Sequence, residues 1–294
     1  MSRHFGTKRA LDDASFTVPD GSITGLVGHN GAGKTTAMKI LVGILRPTTG
    51  SATIDGKPFA EVHLPMTAVG VCISAEWIPK DRRAIDVMLS LAMTHGITRS
   101  RCYDLLTLVG LHEVAQKRVG TFSMGMRQRL GLAIALLGDP KHLILDEPVT
   151  GLDPDGVAWI RRFLKSFVNE GKCVLLSSHL MSELENTADR VVVITKGRVV
   201  ANDTIHSLVS AADCSTYAEA ENTARLVELL GMSGYEATLL DKGILVANAT
   251  PRQISAVAAE GGLLLDRLEP RQKSLEDVFF HLTGNDGLSA KEVA

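Results

Sequence analysis

The run Gly28-His29-Asn30-Gly31-Ala32-Gly33-Lys34-Thr35-Thr36 has the composition of a phosphate cradle. Glycines let a backbone curl until successive N–H groups point inward at phosphate oxygens, and a helix that starts there adds its positive dipole end. Lys34 would reach the β- and γ-phosphates of a nucleotide, and the Thr35 hydroxyl would ligate Mg²⁺. A second chemical stretch is Lys141-His142-Leu143-Ile144-Leu145-Asp146-Glu147-Pro148. There Asp146 can hold Mg²⁺ through water, and Glu147 can orient or deprotonate an attacking water. His179, after the apolar run Cys173 to Leu176, can contact a γ-phosphate. Ser123, two residues ahead of Gly125, is an N-cap candidate, and Gly125 permits close approach of a phosphate. Phe5 could stack on an adenine ring. Taken alone, Phe5 reads first as a core residue and Ser123 as a plain helix cap.

These residues need elements to hold them. Ile23 to Val27 is a short apolar run, and Ala37, Leu41, Ile44 and Leu45 share one helical face after the glycine loop. Strand, loop and helix in that order form the P-loop context. Leu143 to Leu145 suits a central parallel strand whose acidic end faces a ligand crevice. Ser51 to Ile54 reads as a strand with Asp55-Gly56 as its hairpin turn, and Val69 to Ile73 as a buried strand. Ser74 to Arg83 is polar and irregular, and residues from about 84 to 137 read as helices. A helix from Val157 to Val168 and strands at Cys173 to Leu176 and Val191 to Ile194 follow. The fold class expected is α/β: a P-loop NTPase with a mostly parallel sheet and an inserted helical subdomain.

Composition narrows the classes. No stretch approaches 18 consecutive apolar residues, so no bilayer span is expected, and no apolar region suggests a secretory signal at the N-terminus. Cys72, Cys102, Cys173 and Cys214 lie far apart, without C-x-x-C spacing, which suits a reduced compartment. From Ala211 onward the chain holds 7 Lys+Arg against 13 Asp+Glu, a net −6, which leaves +4 for the remainder. An acidic tail disfavours nucleic acid as a partner.

Lys34, Ser123, Asp146-Glu147, Asp153 and His179 stand in the order of the Walker A, signature, Walker B, D-loop and switch-histidine motifs. In this the chain resembles the ATP-binding-cassette (ABC) ATPases over about residues 1 to 205. The resemblance implies that Phe5 is the adenine-stacking aromatic. It also implies a dimer, in which Ser123, Gly125 and Asp153 of one chain complete the nucleotide site held by Lys34 of the other. Two departures stand out. The signature is usually L-S-G-G-Q, and here it reads Phe122-Ser123-Met124-Gly125-Met126. The family's Q-loop glutamine is absent, and the register places Ser74 at that metal-side position, with Glu76 two residues on.

The tail reads as strands at Cys214 to Ala218, Glu236 to Leu240, Ile244 to Ala247 and Leu263 to Leu268, with helices at Asn222 to Leu230 and Pro251 to Ala259. This βαββαβ order suggests a small α+β, ferredoxin-like domain, followed by a helix capped by Ser274. The tail resembles the accessory C-terminal domain of ABC-2-type drug-export ATPases, the daunorubicin-resistance-like group. The expected division is an ABC nucleotide-binding domain over 1–208, with its helical subdomain at about 76–138, and an accessory domain over 211–294. Together these resemblances imply an ATP- and Mg²⁺-dependent ATPase subunit of an exporter. It would be cytoplasmic and sit peripherally on the inner face of the membrane through a separate ABC-2-type permease. Two competing classes are a soluble ABC ATPase outside transport and a nucleotide-sensing module with little turnover. Glu147 and His179 argue against the second.

Overall fold

The computed structural model describes residues 1–211, 215–271 and 274–283; Cys214 and the end of the expected accessory domain lie outside them. The chain divides into two compact units, Met1–Asp203 and Thr204–Ala294, a few residues before the division expected at 208–211.

In the first unit, strands β1 (Arg3–Phe5) and β2 (Lys8–Leu11) pair as an antiparallel hairpin. A six-stranded sheet follows, built from β3 (Ile23–Val27), β4 (Val69–Cys72), β5 (His142–Leu145), β6 (Cys173–Ser178), β7 (Arg190–Thr195) and β8 (Arg198–Thr204). Its order is β4-β5-β6-β3-β7-β8, and the pairings among β3 to β7 are parallel. Such strands are covered on both faces and so carry near-continuous apolar runs. All five residues of β3 and all six of β6 are buried accordingly. Helix α1 (Lys34–Leu41) packs Ala37, Met38 and Ile40 into a core with Leu11, Leu26, Ile144, Leu175 and Val192. Each buried Val, Leu, Ile or Met side chain among them contributes about 1.5–3 kcal/mol.

A short helix α2 (Pro65–Ala68) leads into β4. Between β4 and β5 lie three helices, α3 (Ala84–Thr94), α4 (Arg99–Leu108) and α5 (Met124–Ala135), as the helical pattern indicates. Helix α6 (Pro154–Asn169) starts with Pro at its first position, where the missing N–H costs nothing, and α7 (Met181–Thr187) joins β6 to β7. The strand expected over Ser51 to Ile54 does not form. Only an isolated bridge, Ile54 to Lys57, closes around Asp55 and Gly56, both at positive φ. The tight turn is present without the ladder that a strand needs. Among the described residues, no helix is long and apolar enough to cross a membrane.

The second unit opens with α8 (Ile205–Ala211), a helix outside the expected elements, and continues β9 (Ser215–Ala220), α9 (Thr223–Met232), β10 (Ala237–Leu240), β11 (Gly243–Ala247), α10 (Pro251–Glu260) and β12 (Leu265–Arg271). The four strands lie in the order β10-β11-β9-β12, all antiparallel. Ala218, Leu226, Leu230, Ile244, Val246 and Ile254 form its core. Helix α10 begins with a reciprocal capping box between Thr250 and Gln253. The last helix, α11 (Leu275–Thr283), buries Leu275, Val278 and Phe279 and packs on α8.

Candidate functional site

Strands β3, β5 and β6 run parallel, so the residues that follow their C-terminal ends collect at one edge of the sheet. Those residues are the glycine loop after Val27, Asp146 after Leu145 and His179 after Ser178. One surface cleft is lined by Phe5, Lys8, Ala10, His29, Asn30, Gly31, Ala32, Gly33, Lys34, Thr35, Thr36, Asp146 and Glu147.

The loop's glycines divide the work. Gly33 has φ +113° and caps α1, a conformation closed to most side chains. Gly28 serves packing: a Cβ there would lie 2.2 Å from the Ile194 carbonyl oxygen on β7. Lys34 is buried, and its Nζ donates to the Gly28 carbonyl at 2.5 Å, which holds the ammonium inside the loop's curve.

Asp146 is buried, 9% exposed, and both its carboxylate oxygens are engaged. Thr35 Oγ1 donates to Oδ2 at 2.6 Å, and Ser177 Oγ donates to Oδ1. Its backbone N–H donates to the Cys72 carbonyl at 2.8 Å, which ties the end of β5 to the end of β4. Burial, with the Asp146 charge beside it, pushes the Cys72 thiol up to about 12, so this cysteine is an inert thiol at neutral pH. Oxygen donors as close as Thr35 and Asp146 suit a small hard cation such as Mg²⁺.

Glu147 has φ +51°, in the left-handed region. Its N–H donates to Ser177 Oγ at 2.9 Å and its carbonyl accepts from Gln128 Nε2 at 3.1 Å, so the backbone is held on both sides. Glu147 Oε2 lies 2.6 Å from His179 Nδ1 and accepts from Thr150 Oγ1 at 3.4 Å. A carboxylate fixed by an imidazole at the rim of the cleft that holds the glycine loop has the placement a general base needs.

Ser123, Gly125, Asp153 and Ser74 do not line this cleft. Ser123 is the N-cap of α5, accepting from Met126 N at 3.2 Å, and is otherwise exposed. A Cβ on Gly125 would lie 2.8 Å from the Gly151 carbonyl, so its small size also lets the loop before α6 approach. Asp153 caps α6 by accepting from Gly156 N at 3.0 Å and pairs with Arg129 at 3.4 Å. Ser74 is exposed past the end of β4, and its hydroxyl accepts from the Glu76 N–H at 3.1 Å. Phe5 is 45% exposed with the Arg3 guanidinium 4.6 Å from its ring centroid, so it is a surface aromatic and not a core residue. Sequence reasoning missed Ser177, Gln128 and Thr150. The available signal for Ser177 was the strand register: Leu145 pairs with Leu176, which sets Ser177 beside Asp146.

Comparison with known proteins agrees with this geometry. A model described as "ABC transporter" matches residues 11–150. The bacitracin transport ATP-binding protein BcrA of Enterococcus faecalis is 32% identical, with 98% of this chain and 96% of that protein covered. The lantibiotic transport ATP-binding protein SrtF of Streptococcus pyogenes is 38% identical, with 68% of this chain and 86% of that protein covered. A solved ATP-binding subunit of an ABC transporter superposes with a TM-score of 0.65 at 26% identity, over 71% of this chain and 90% of its own.

Proposed function

Because the chain belongs to the ABC transporter family as an ATP-binding subunit, we infer that it powers an exporter whose membrane-spanning subunits are separate chains of the ABC-2 class. The chain binds and hydrolyses ATP. The observation that carries the reading is the meeting of Lys34, Thr35, Asp146, Glu147 and His179 at one edge of the sheet. Lys34 and the loop N–H groups hold the β- and γ-phosphates, and Phe5 stacks on the adenine. Thr35 and Asp146 would hold Mg²⁺, which would supply charge neutralisation at the phosphate oxygens. Ser74 would offer its hydroxyl on the metal side of the site. Glu147 takes the proton of the attacking water, and His179 orients the Glu147 carboxylate and reaches the γ-phosphate.

Exposure of Ser123 and its absence from the cleft support a site completed in trans. In a dimer of ATP-binding subunits, Ser123, Gly125 and Asp153 of one protomer cap the nucleotide held by its partner. Closure around ATP and release after hydrolysis convert phosphate contacts into movement. The irregular segment after Ser74 and the helices α3 to α5 pass that movement to the permease. Through that partner the subunit sits on the cytoplasmic face of the membrane. The second unit is a ferredoxin-like accessory domain of the ABC-2 drug-export kind.

The test is Glu147→Gln, which preserves size and removes the base. ATP binding should persist while hydrolysis falls about 10²–10⁴-fold. Hydrolysis at the wild-type rate would refute the assignment of Glu147.

A further inference from the structure

At the opposite end of the sheet from the nucleotide cleft, the same two strands carry a second group of chemically active side chains. His142 opens β5 and Cys173 opens β6, and the two are register partners. Along these strands Asp146 and Ser177 lie four residues further on, about 13 Å away at ~3.3 Å per residue. His142 Nδ1 lies 2.9 Å from Cys173 Sγ. Its other nitrogen, Nε2, lies 3.1 Å from Asp55 Oδ1, in the tight turn closed by Ile54 and Lys57. Asp20 completes the group from the turn before β3. That turn is pinned by Ser22 Oγ donating to Pro19 O at 2.7 Å, and by Val174 N donating to Ser22 O at 3.0 Å.

We propose that Asp20, His142 and Cys173 form a binding site for a divalent transition metal of the zinc class, with Asp55 orienting the imidazole. One donor atom from each of the three ligands lies within 4.8 Å of the others. Tetrahedral zinc with sulfur, nitrogen and oxygen ligands needs donor separations of about 3.3–3.6 Å. The observed spacings, from 2.9 Å up to 4.8 Å, bracket that range, so small side-chain shifts close the site. The Asp55 carboxylate, which can only accept, selects a suitable tautomer. With Nε2–H donating to Asp55, the Nδ1 lone pair faces the thiol, which is the carboxylate–histidine–metal relay of known zinc sites. Every ligand sits on a strand start or a pinned turn, so the group is held by rigid backbone.

The charges around the group suit a cation: the Asp20 carboxylate lies within 4.8 Å of the ligand atoms of His142 and Cys173, and Asp55 flanks the imidazole. The donor set selects the metal: sulfur and imidazole suit Zn²⁺ or Co²⁺, whereas Mg²⁺ requires octahedral oxygen. The site lies in a cleft lined by residues such as Phe16, Val18 and Thr53, so the fourth coordination position is open to water.

Cobalt reports the ligands directly. The full chain, stripped with a chelator and titrated with Co²⁺, should bind one equivalent and show a thiolate-to-cobalt charge-transfer band with tetrahedral d–d absorption. Zn²⁺ should abolish the band, and excess Mg²⁺ should leave it. Cys173→Ser should remove the charge-transfer band, while Cys72→Ser retains it. Asp20→Asn, at an exposed turn, should keep the fold and weaken Co²⁺ binding about tenfold or more. Absence of the band in the wild-type chain, its loss in Cys72→Ser, or unchanged Co²⁺ affinity in Asp20→Asn would each overturn the proposal. The first of these results would leave His142 and Cys173 as a neutral S–H···N hydrogen bond.

Discussion

Ser177→Ala isolates a residue that touches both acidic side chains' backbone or carboxylate without touching nucleotide. Ser177 is fully buried, donates to Asp146 Oδ1 and accepts from the Glu147 N–H at 2.9 Å. A hydrogen bond to a charged group is worth about 1.5–3 kcal/mol, and an orphaned buried N–H costs about 1–3 kcal/mol. The two losses share one atom and do not add in full, so the expected destabilisation is about 3 kcal/mol. In a unit of this size, that lowers the melting temperature by roughly 6–12 °C. Freed of its partner, Asp146 loses its orientation toward Thr35, and the apparent Mg²⁺ affinity in ATP hydrolysis should fall about 10–100-fold. The assay pairs thermal unfolding with Mg²⁺ titration of steady-state ATPase activity at saturating ATP. Ser177→Thr, which keeps the hydroxyl, should recover much of the Mg²⁺ response. An unchanged Mg²⁺ midpoint in Ser177→Ala would refute the claim that Ser177 positions Asp146, whatever the melting temperature.

Two further outcomes test separate parts of the site. Ser123→Arg should abolish ATPase activity in a homodimer while the monomer still binds ATP, and mixing with Lys34→Ala chains should restore activity; mixed dimers without activity would count against completion in trans. Gly28→Ala places a methyl carbon 2.2 Å from the Ile194 carbonyl. It should cost about 3 kcal/mol by overpacking, read as a lower urea midpoint, and an unchanged midpoint would show that β7 yields there.

The chemistry-bearing residues were legible because each lies in a contiguous stretch: a glycine loop flanked by strand and helix, an acidic pair ending an apolar run. What joins the stretches was not. Ser177 meets Asp146 across 31 positions of sequence, and only the register of β5 against β6 reveals it. Gln128 reaches the Glu147 carbonyl from α5, a tertiary contact that no contiguous stretch shows. Ser51 to Ile54 reads as a strand ahead of its Asp-Gly turn, yet a single bridge is all that forms there. Gly28 illustrates a residue whose packing role was hidden while its position was plain. Its place in the loop was visible, but the Ile194 carbonyl that excludes a side chain belongs to a strand 166 positions away.

Glu147 adopts a backbone conformation that favours glycine or asparagine over a longer side chain, by about 1–2 kcal/mol. Two selection pressures therefore disagree at one codon. A library of variants at position 147 sorted only for heat resistance would enrich glycine and asparagine, and every winner would be inactive. Sorted for turnover, the same library would return glutamate, with its tension intact. Consensus-style stabilisation of this subunit must leave that position alone, because its least comfortable residue is the one proposed as the base.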